Sequence, residues 1–248
     1  ENSNNTNFKI ELEKKYENLN CILAGQNLGY AKGNNLGLSK VKSKYALILN
    51  PDAILENDTL DRFLITANNF SDFAILGPAR QDEYNFEEQN KDKEQVFQVN
   101  SLKGFAMFLN LDQFDKIGFF DENFFIYLEE IDLCKRLLNE NKKILLDKKI
   151  VINHLGGSSH NEAINFEMEL SRNWHWMWSI FYFNKKHYGY LYALISVSIK
   201  FFSSLIKIIF YSLIFNQPKK KIYLQRFLGL FNSIIGNRSW YRPKINNN

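Results

Sequence analysis

Short apolar runs alternate with helical patterns along residues 1–155. Apolar runs bounded by Gly, Pro, Asn or Asp are typical of strands, and segments with apolar residues every three or four positions are typical of helices. Their alternation predicts an α/β domain. The predicted strands are residues 20–24, 45–49, 73–76, 104–109, 143–146 and 150–153. The predicted helices are residues 8–16, 35–41, 58–68 and 129–139, and the charged segment 81–93 is predicted to be an exposed loop.

The pattern becomes helical and aromatic from residue 161 onward. A long apolar stretch at residues 190–215 carries polar residues on one predicted helical face, namely Ser196, Lys200, Ser203, Lys207 and Tyr211. Such a helix favours a position in the membrane interface over a transmembrane span. Pro218 ends it, and a second apolar helix with Arg226 follows. We therefore predict an α/β domain over residues 1–160 and a helical, membrane-associating region over residues 161–248.

Charge divides the chain at nearly the same point. Residues 1–169 hold 19 basic and 27 acidic residues, whereas residues 170–248 hold 12 basic residues and no Asp or Glu. A basic, apolar region predicts an anionic membrane surface as its partner. Nucleic acid is the alternative, but it is disfavoured because these basic residues lie between long apolar runs.

Cysteine usage indicates the compartment. Cys21 and Cys134 are far apart and lack CxxC spacing, so neither a disulfide framework nor a structural zinc site is predicted. A reducing cytoplasm follows as the simpler expectation. Together with the basic region, this predicts a peripheral protein on the inner face of the cell membrane.

The apolar strand at residues 45–49 ends in Asn50-Pro51-Asp52. A carboxylate at the carboxyl end of a strand in an α/β sheet lies where ligands usually bind. Mg²⁺ and Mn²⁺ prefer oxygen ligands such as Asp52. Asn-Pro-Asp is also good turn chemistry, so this motif alone is compatible with a metal site or an ordinary turn.

Residues 25–37 form a Gly- and Asn-rich segment between two predicted strands. Glycines permit tight turns and a close approach of the backbone to a ligand. The spacing is not the GxGxxG dinucleotide fingerprint. The alternative is an ordinary loop that caps the helix predicted to start at Asn35.

Four sequence blocks, taken in their order along the chain, are more specific than any one of them alone. They are NLGYAKGNNLG at residues 27–37, LNPDA at 49–53, GFFDENFFIYLEEIDLCKR at 118–136, and His154 before GGSS at 156–159. In this order they resemble the rhamnosyltransferase-type branch of the family-2 glycosyltransferases. The resemblance implies a GT-A fold with a mixed central sheet. It also implies a nucleotide diphosphate sugar donor, a divalent cation, and inversion at the anomeric carbon during transfer to a lipid- or glycan-linked acceptor in cell-surface polysaccharide synthesis.

The resemblance also implies site residues. Asp52 matches the last acidic position of the family's DxD metal motif, and Asn50 stands where many relatives carry the first Asp. Relatives begin with a strand, a helix and a second strand that precede the position of Glu1 and are missing here, and Glu1 would contact the nucleotide base. The positions implied to bind substrate are Glu1, Asn27, Gly29, Lys32, Asn35, Asn50, Gly104, Asp121 and Glu129.

His154 follows the predicted strand 150–153 and precedes a Gly-Gly-Ser-Ser run. Judged from the residues alone, a structural histidine and a metal ligand are equally good interpretations. The resemblance favours the second, with His154 and Asp52 sharing one Mg²⁺ or Mn²⁺.

The helix predicted at residues 129–139 opens with two glutamates. Projected at 100° per residue, Glu130 falls on the apolar side, whereas Glu129 and Asp132 fall nearer Arg136 on the polar side. A carboxylate aimed inward at a helix start suits a general base. The alternative is that the two glutamates only complement the helix dipole. The resemblance assigns the base to Glu130, where relatives carry Asp, and Asp132 is expected to form a helix-surface ion pair with Arg136.

Two rival functions remain open from the sequence. A non-catalytic nucleotide- or sugar-binding remnant is compatible with the single carboxylate of Asn50-Pro51-Asp52, and a nucleic-acid-binding protein is compatible with the basic, aromatic region. The four blocks are compatible with rhamnose, galactofuranose and N-acetylhexosamine donors alike.

Overall fold

The computed structural model describes residues 1–80, 95–154 and 164–243. The predicted loop 81–93 and the GGSS block lie outside the described residues. The helices are α1 Thr6–Lys15, α2 Gly29–Leu38, α3 Thr59–Asn69, α4 Glu129–Asn139, α5 Asn165–Tyr188, α6 Tyr190–Leu213 and α7 Gln217–Ile234. The strands are β1 Tyr45–Leu49, β2 Ala53–Leu55, β3 Phe73–Arg80, β4 Val96–Gln98, β5 Ala106–Asn110 and β6 Lys143–His154, with a 3₁₀ turn at Leu111–Gln113.

The strands form one mixed, six-stranded sheet. Its order is β1-β5-β3-β6-β2, with β4 also paired to β6. The β3–β6 pair is parallel, and the other pairs are antiparallel. The predicted α/β fold with a mixed sheet and a helical C-terminal region is therefore confirmed.

The core of the sheet is aromatic. Every residue of β5 is buried. The Phe108 ring lies 5.0 Å from the Phe63 ring of α3 and 6.2 Å from the Phe73 ring of β3. Burial of each such side chain stabilises the fold by about 1.5–3 kcal/mol, and Phe63 makes this contribution for α3.

The predicted strand at residues 20–24 is wrong. This segment is irregular, and its backbone bonds to the first residues of the chain. The Glu1 amine donates to the Ile22 carbonyl (3.0 Å), and the Ala24 amide donates to the Glu1 carbonyl (3.0 Å). A strand needs a neighbouring strand along its length, whereas this segment bonds to Glu1–Ser3 and, through the Cys21 amide, to the Glu13 side chain (2.8 Å).

The helix predicted at 35–41 instead begins at Gly29. Glycine has low helix propensity. Gly29, Gly33 and Gly37 therefore make the first part of this helix hard to predict from the sequence. The start is determined by a distant contact, because the Tyr30 amide donates to the Phe125 carbonyl at 2.7 Å.

The two strands predicted at 143–146 and 150–153 form one strand, β6. The polar residues between them are accommodated by a register shift in the pairing with β3 and by Asp147. Thr66 Oγ1 donates to the Asp147 carboxylate (2.6 Å), which also accepts from the Lys149 amide (2.8 Å). Two three-residue strands, β2 and β4, escape sequence-based prediction because each is too short to show a period.

The chain divides into two compact units. The first comprises residues 1–28, 32–121 and 129–159, and the second comprises residues 29–31, 122–128 and 160–248. The second unit is built on α5, α6 and α7, with a core of Met177, Phe181, Ala193, Val197 and Leu230. Helix α6 has 24 residues with a mean hydropathy of 1.9, so it is long and apolar enough to cross a membrane by length and composition.

Candidate functional site

The turn between β1 and β2 carries Asn50 and Asp52. The Asn50 amide donates to the Phe105 carbonyl at 2.8 Å, which ties the end of β1 to the residue after Gly104. The Ala53 amide donates back to the Asn50 carbonyl at 3.1 Å. Asn-Pro-Asp therefore forms a turn, and this turn lies at the end of a strand, where a metal site is equally well placed. Asn50, Asp52 and Gly104 are half-buried at this end of the sheet.

Strand register brings the two predicted metal ligands to neighbouring strands. In the antiparallel β2–β6 pair, Ala53 lies opposite His154, so the His154 backbone is one residue removed from Asp52 across the ladder. A carboxylate and an imidazole are ligands that Mg²⁺, Mn²⁺ or Zn²⁺ sites use in proteins. Within residues 1–80, 95–154 and 164–243, no group of three or more His, Cys, Asp or Glu side chains is gathered for a metal. Asp52 is thus not part of a three-ligand group among the described side chains.

The first turn of α4 holds a buried carboxyl group. Glu129 is only 4% exposed, and its Oε2 finds no hydrogen-bond partner in the described part of the chain. Burial first, and the charge of Glu130 second, raise the pKa of Glu129 from 4.5 to about 8. Glu129 is thus mostly protonated at neutral pH, because desolvation disfavours its charged form. Glu130 is half-buried beside it.

The helical projection is wrong about which carboxylates face inward. It places Glu129 and Asp132 on the polar side, but both are buried, and Asp132 is fully so. For Asp132 the reason is Arg136, whose Nε donates to the Asp132 carboxylate at 2.8 Å. Its other nitrogens donate to the carbonyls of Ile117 (2.8 Å) and Phe119. The polar side of α4 is therefore covered by residues 117–119, and the Asp132–Arg136 pair forms as predicted but is buried.

The residues predicted near the nucleotide are joined by side-chain amides. Asn2 donates from Nδ2 to the Asn27 side chain (3.1 Å) and accepts from the Leu28 amide (2.8 Å). The Ser3 hydroxyl donates to the Glu1 carboxylate. Asn27 is therefore held by Asn2, the chain neighbour of Glu1, and no sequence motif indicated this contact.

Asn35 has a structural contact that its predicted role does not include. Its side chain donates to the Phe120 carbonyl (2.9 Å) and accepts from the Phe120 amide (3.1 Å). This pair of bonds ties α2 to the residue before Asp121. Lys32, three residues earlier on α2, is exposed. The substrate-binding roles of these residues stay predictions.

Packing also requires glycine at position 29. Its φ is +77°, and a Cβ added there would lie 2.2 Å from the Phe125 carbonyl oxygen. Side chains other than hydrogen are therefore excluded whatever ligand binds nearby. Phe125 belongs to the block at 118–136, and its contact with the block at 27–37 is not predictable from either block alone.

Two cavities are lined by described residues of the first unit. One of about 110 Å³ is lined by Leu102, Lys103, Phe105 and Ile131, beside Gly104 and the first turn of α4. The other, of about 660 Å³, is lined by residues of α3, β4 and β6, including Asp147 and Lys143. The larger cavity shares no residue with the predicted site, so its size does not mark it as the place of the chemistry.

Comparison with known proteins finds similar sequences and similar folds. No protein-family model matches the chain. The chain is 25% identical over 164 residues to the low-salt glycan biosynthesis hexosyltransferase Agl10 of Haloferax volcanii, covering 57% of this chain and 53% of that protein. It is 27% identical over 155 residues to the rhamnosyltransferase WbbL of Escherichia coli, covering 49% of this chain and 58% of that protein. The chain thus spans about half the length of the curated relatives it matches.

Two solved structures show the fold. The mannosyltransferase PcManGT of Pyrobaculum calidifontis, in complex with GDP-Man and Mn²⁺, matches with a TM-score of 0.51 and 9% identity, covering 91% of this chain and 72% of that one. GalNAc-T7 with UDP, GalNAc and Mn²⁺ matches with a TM-score of 0.50 and 10% identity, covering 60% of this chain and 35% of that one. The fold is that of the GT-A glycosyltransferases. The predicted resemblance to family-2 glycosyltransferases is also confirmed.

Proposed function

We propose that the chain is the catalytic part of an inverting glycosyltransferase. It moves a sugar from a nucleotide diphosphate to a glycan- or lipid-linked acceptor in the synthesis of a cell-surface glycan. The observation that carries the proposal is the β2–β6 register, which sets His154 across from the residue after Asp52 in a GT-A sheet. The names of the curated relatives, a hexosyltransferase and a rhamnosyltransferase, support the same reaction class.

A divalent cation, Mg²⁺ or Mn²⁺, fits this chemistry. Asp52 and His154 would hold it, and when bound it neutralises charge on the donor's diphosphate. Both solved neighbours are complexes with Mn²⁺, which supports the proposal. Asn50 supplies an amide oxygen in place of a carboxylate, so this chain's own ligands bring less negative charge than a DxD motif does.

Glu130 is the proposed general base. In an inverting transfer the acceptor oxygen bonds to the anomeric carbon while the bond to the diphosphate oxygen breaks on the opposite face. The acceptor's proton passes to the Glu130 carboxylate. Glu129 assists because it stays protonated, so the charge of the pair resides on Glu130 at neutral pH.

The experiment is a ligand-induced shift in melting temperature. The chain is heated with Mn²⁺ and each of a panel of GDP-, UDP- and dTDP-linked sugars. A donor at about 100 times its Kd should stabilise the fold by about 2.7 kcal/mol, and EDTA should remove the shift. Release of the nucleoside diphosphate from the stabilising donor, with the sugar passing to an added glycan or lipid acceptor or to water, would then establish turnover. A chain that binds a donor but releases the nucleoside diphosphate neither with added acceptors nor by hydrolysis would be the non-catalytic remnant instead.

We also propose that the second unit docks on an anionic membrane from the cytoplasmic side. One face of α6 is exposed and apolar along its whole length, with side chains between 61% and 83% exposed. These residues are Leu191, Ile195, Ile199, Phe202, Ile206, Ile209 and Leu213, and we call them the outer stripe. An apolar face of this length favours a lipid surface, and the basic residues of α6 and α7 favour anionic headgroups.

The polar residues of α6 support an interfacial position. Ser196 accepts from Asn184 of α5 at 2.9 Å. Lys207 lies 4.8 Å from the Tyr223 ring of α7, and Tyr211 stacks on the same ring at 5.5 Å. These polar residues therefore pack on α5 and α7, while the outer stripe faces away from both helices. A helix that is apolar on one face and packed through polar contacts on the other suits lying in the interface better than spanning the bilayer.

A further inference from the structure

The segment at residues 122–128 leads into α4, and side chains of α5 contact it along its length. Ser179 donates from Oγ to the Ile126 carbonyl at 3.0 Å, and Asn123 donates to the Tyr182 hydroxyl at 3.0 Å. Aromatic rings of α5 also meet the segment edge-on. These contacts are Phe124 with Trp178 (6.5 Å) and Tyr182 (4.9 Å), and Tyr127 with Trp176 (5.5 Å).

The Phe125 ring of this segment contacts two further groups. The His175 ring of α5 stacks on it at 4.5 Å, and the Arg242 guanidinium carbon lies 3.5 Å from its centroid. An arginine over an aromatic face is attracted to the ring quadrupole. The Phe125 ring is thus held between α5 and the segment that follows α7.

His175 fixes the segment that carries Arg242. Its Nε2 donates to the Tyr241 carbonyl and its Nδ1 accepts from the Ser239 hydroxyl, both at 2.8 Å. Burial lowers the pKa of His175 to about 3, so it stays neutral and keeps both bonds across the physiological range. Arg242 Nη1 donates to the Tyr241 carbonyl at 2.8 Å, which orients the guanidinium.

The backbone of Phe125 also contacts the start of α2. Its carbonyl accepts from the Tyr30 amide, at the start of α2 and inside the block at 27–37. Beyond Phe125, the backbone takes φ values of +74° at Tyr127 and +68° at Leu128 before Glu129 begins α4. Left-handed conformations at non-glycine residues persist only where the surroundings hold them.

We propose that Arg242, acting through Phe125, is a positioning residue for the transfer reaction. It holds the segment 122–128, which runs directly into α4 with the proposed base Glu130 and which binds the start of α2 through the Phe125 carbonyl. Arg242 itself touches neither donor nor acceptor in this proposal. The inference rests on the proposed function, and it adds a requirement from a residue that lies outside the four blocks of the resemblance.

The experiment compares Arg242→Ala with Arg242→Lys and with Arg238→Ala, a matched loss of charge at an exposed residue of the same segment. Since misplacement by about 1 Å can cost about a hundredfold in rate, we expect kcat to fall about tenfold or more in Arg242→Ala. Donor Kd and melting temperature should change little. Arg242→Lys should recover part of kcat, and Arg238→Ala should equal the wild type.

Amide hydrogen exchange supplies a readout that needs no activity. Residues 122–131 and the Tyr30 amide should exchange faster in Arg242→Ala than in Arg238→Ala, because their hydrogen bonds open more often. Unchanged exchange and kcat would overturn the inference. So would a loss of kcat that only follows a loss of folded protein, measured by the melting temperature. The wild type could lack transferase activity while Arg242→Ala still exchanged faster than Arg238→Ala. That result would refute the proposed function but would still establish that Arg242 supports the segment 122–128.

Discussion

Glu129 and Glu130 follow one another in the first turn of α4, and only Glu129 is buried. Because the pKa of Glu129 is raised to about 8 in the folded chain, the folded state holds a proton that the unfolded state releases above pH 4.5. The folded chain is therefore favoured at low pH, and this contribution is lost progressively as pH rises from 4.5 through 8.

We predict that Glu129→Gln removes this pH dependence. Glutamine keeps the shape without the titration, so the variant should be more stable than the wild type at pH 8, on the order of 3 kcal/mol, and similar at pH 5. Urea unfolding at both pH values measures this. If the free energy of unfolding changed with pH in the same way for the wild type and Glu129→Gln, Glu129 would be ionised in the folded chain.

The proposed base is tested by Glu130→Gln. Transfer should fall by a factor of about 10² to 10⁴, the usual contribution of a general base, while the donor still binds. Glu130→Asp should retain partial activity. Glu140→Gln, at the exposed end of the α4 region, is the control and should leave the rate unchanged. Full transfer by Glu130→Gln would exclude this residue as the base.

Asp52→Ala tests the cation site. Removal of the carboxylate should abolish Mn²⁺-dependent binding of the nucleotide diphosphate sugar, measured by calorimetry with and without EDTA. Asp61→Ala, an exposed carboxylate of α3, should bind as the wild type does. If neither EDTA nor Asp52→Ala changed the affinity for the donor, the metal assignment would be wrong.

Two Asp–Arg pairs with the same i,i+4 spacing differ in burial. In Asp58–Arg62 the side chains are 56% and 38% exposed, whereas in Asp132–Arg136 they are 0% and 20% exposed. Arg62→Ala should cost about 0.3–0.5 kcal/mol. Arg136→Ala leaves a buried carboxylate without its ion pair and should cost about 3–5 kcal/mol. If Arg62→Ala and Arg136→Ala lowered the free energy of unfolding equally in chemical denaturation, the burial of Asp132 would be contradicted.

Membrane docking is tested on the outer stripe. Charged side chains oppose burial in lipid, so Ile199→Asp with Ile206→Asp should abolish sedimentation with anionic vesicles. Ile65→Asp, on α3, is 59% exposed in the wild type and serves as the control. Replacement of Lys219–Lys221 by Gln should weaken binding by about 3 kcal/mol at most. Equal binding to zwitterionic vesicles in high salt would remove the electrostatic part of the proposal.

The sequence predicts elements whose partners are close or whose patterns are strong. Strand β1 and helix α4 fall at their predicted positions because apolar periodicity alone decides them. The start of α2 is missed since it depends on Phe125, which is distant in the chain. The burial of Asp132 is missed because Arg136, which also binds the Ile117 carbonyl, covers it, and a helical projection contains no such neighbours.

For the candidate site, the sequence indicates residues but not how they are joined. Asp52 and His154 are predicted from motifs and from the resemblance, yet the register that relates them runs through β2, a strand too short to predict. Asn2, which donates to the Asn27 side chain, carries no signal because an asparagine in an Asn-rich segment is typical of loop composition.

Strand β6 pairs with β2, β3 and β4. During synthesis, β2, β3 and β4 cannot complete their ladders until residue 154 has left the ribosome. Until then the edge of β3 that pairs with β6 is open, and a nascent chain with an unpaired strand edge is exposed to aggregation. We therefore expect truncations that end before β6 to bind chaperones and to resist folding, even though they contain most of the predicted site.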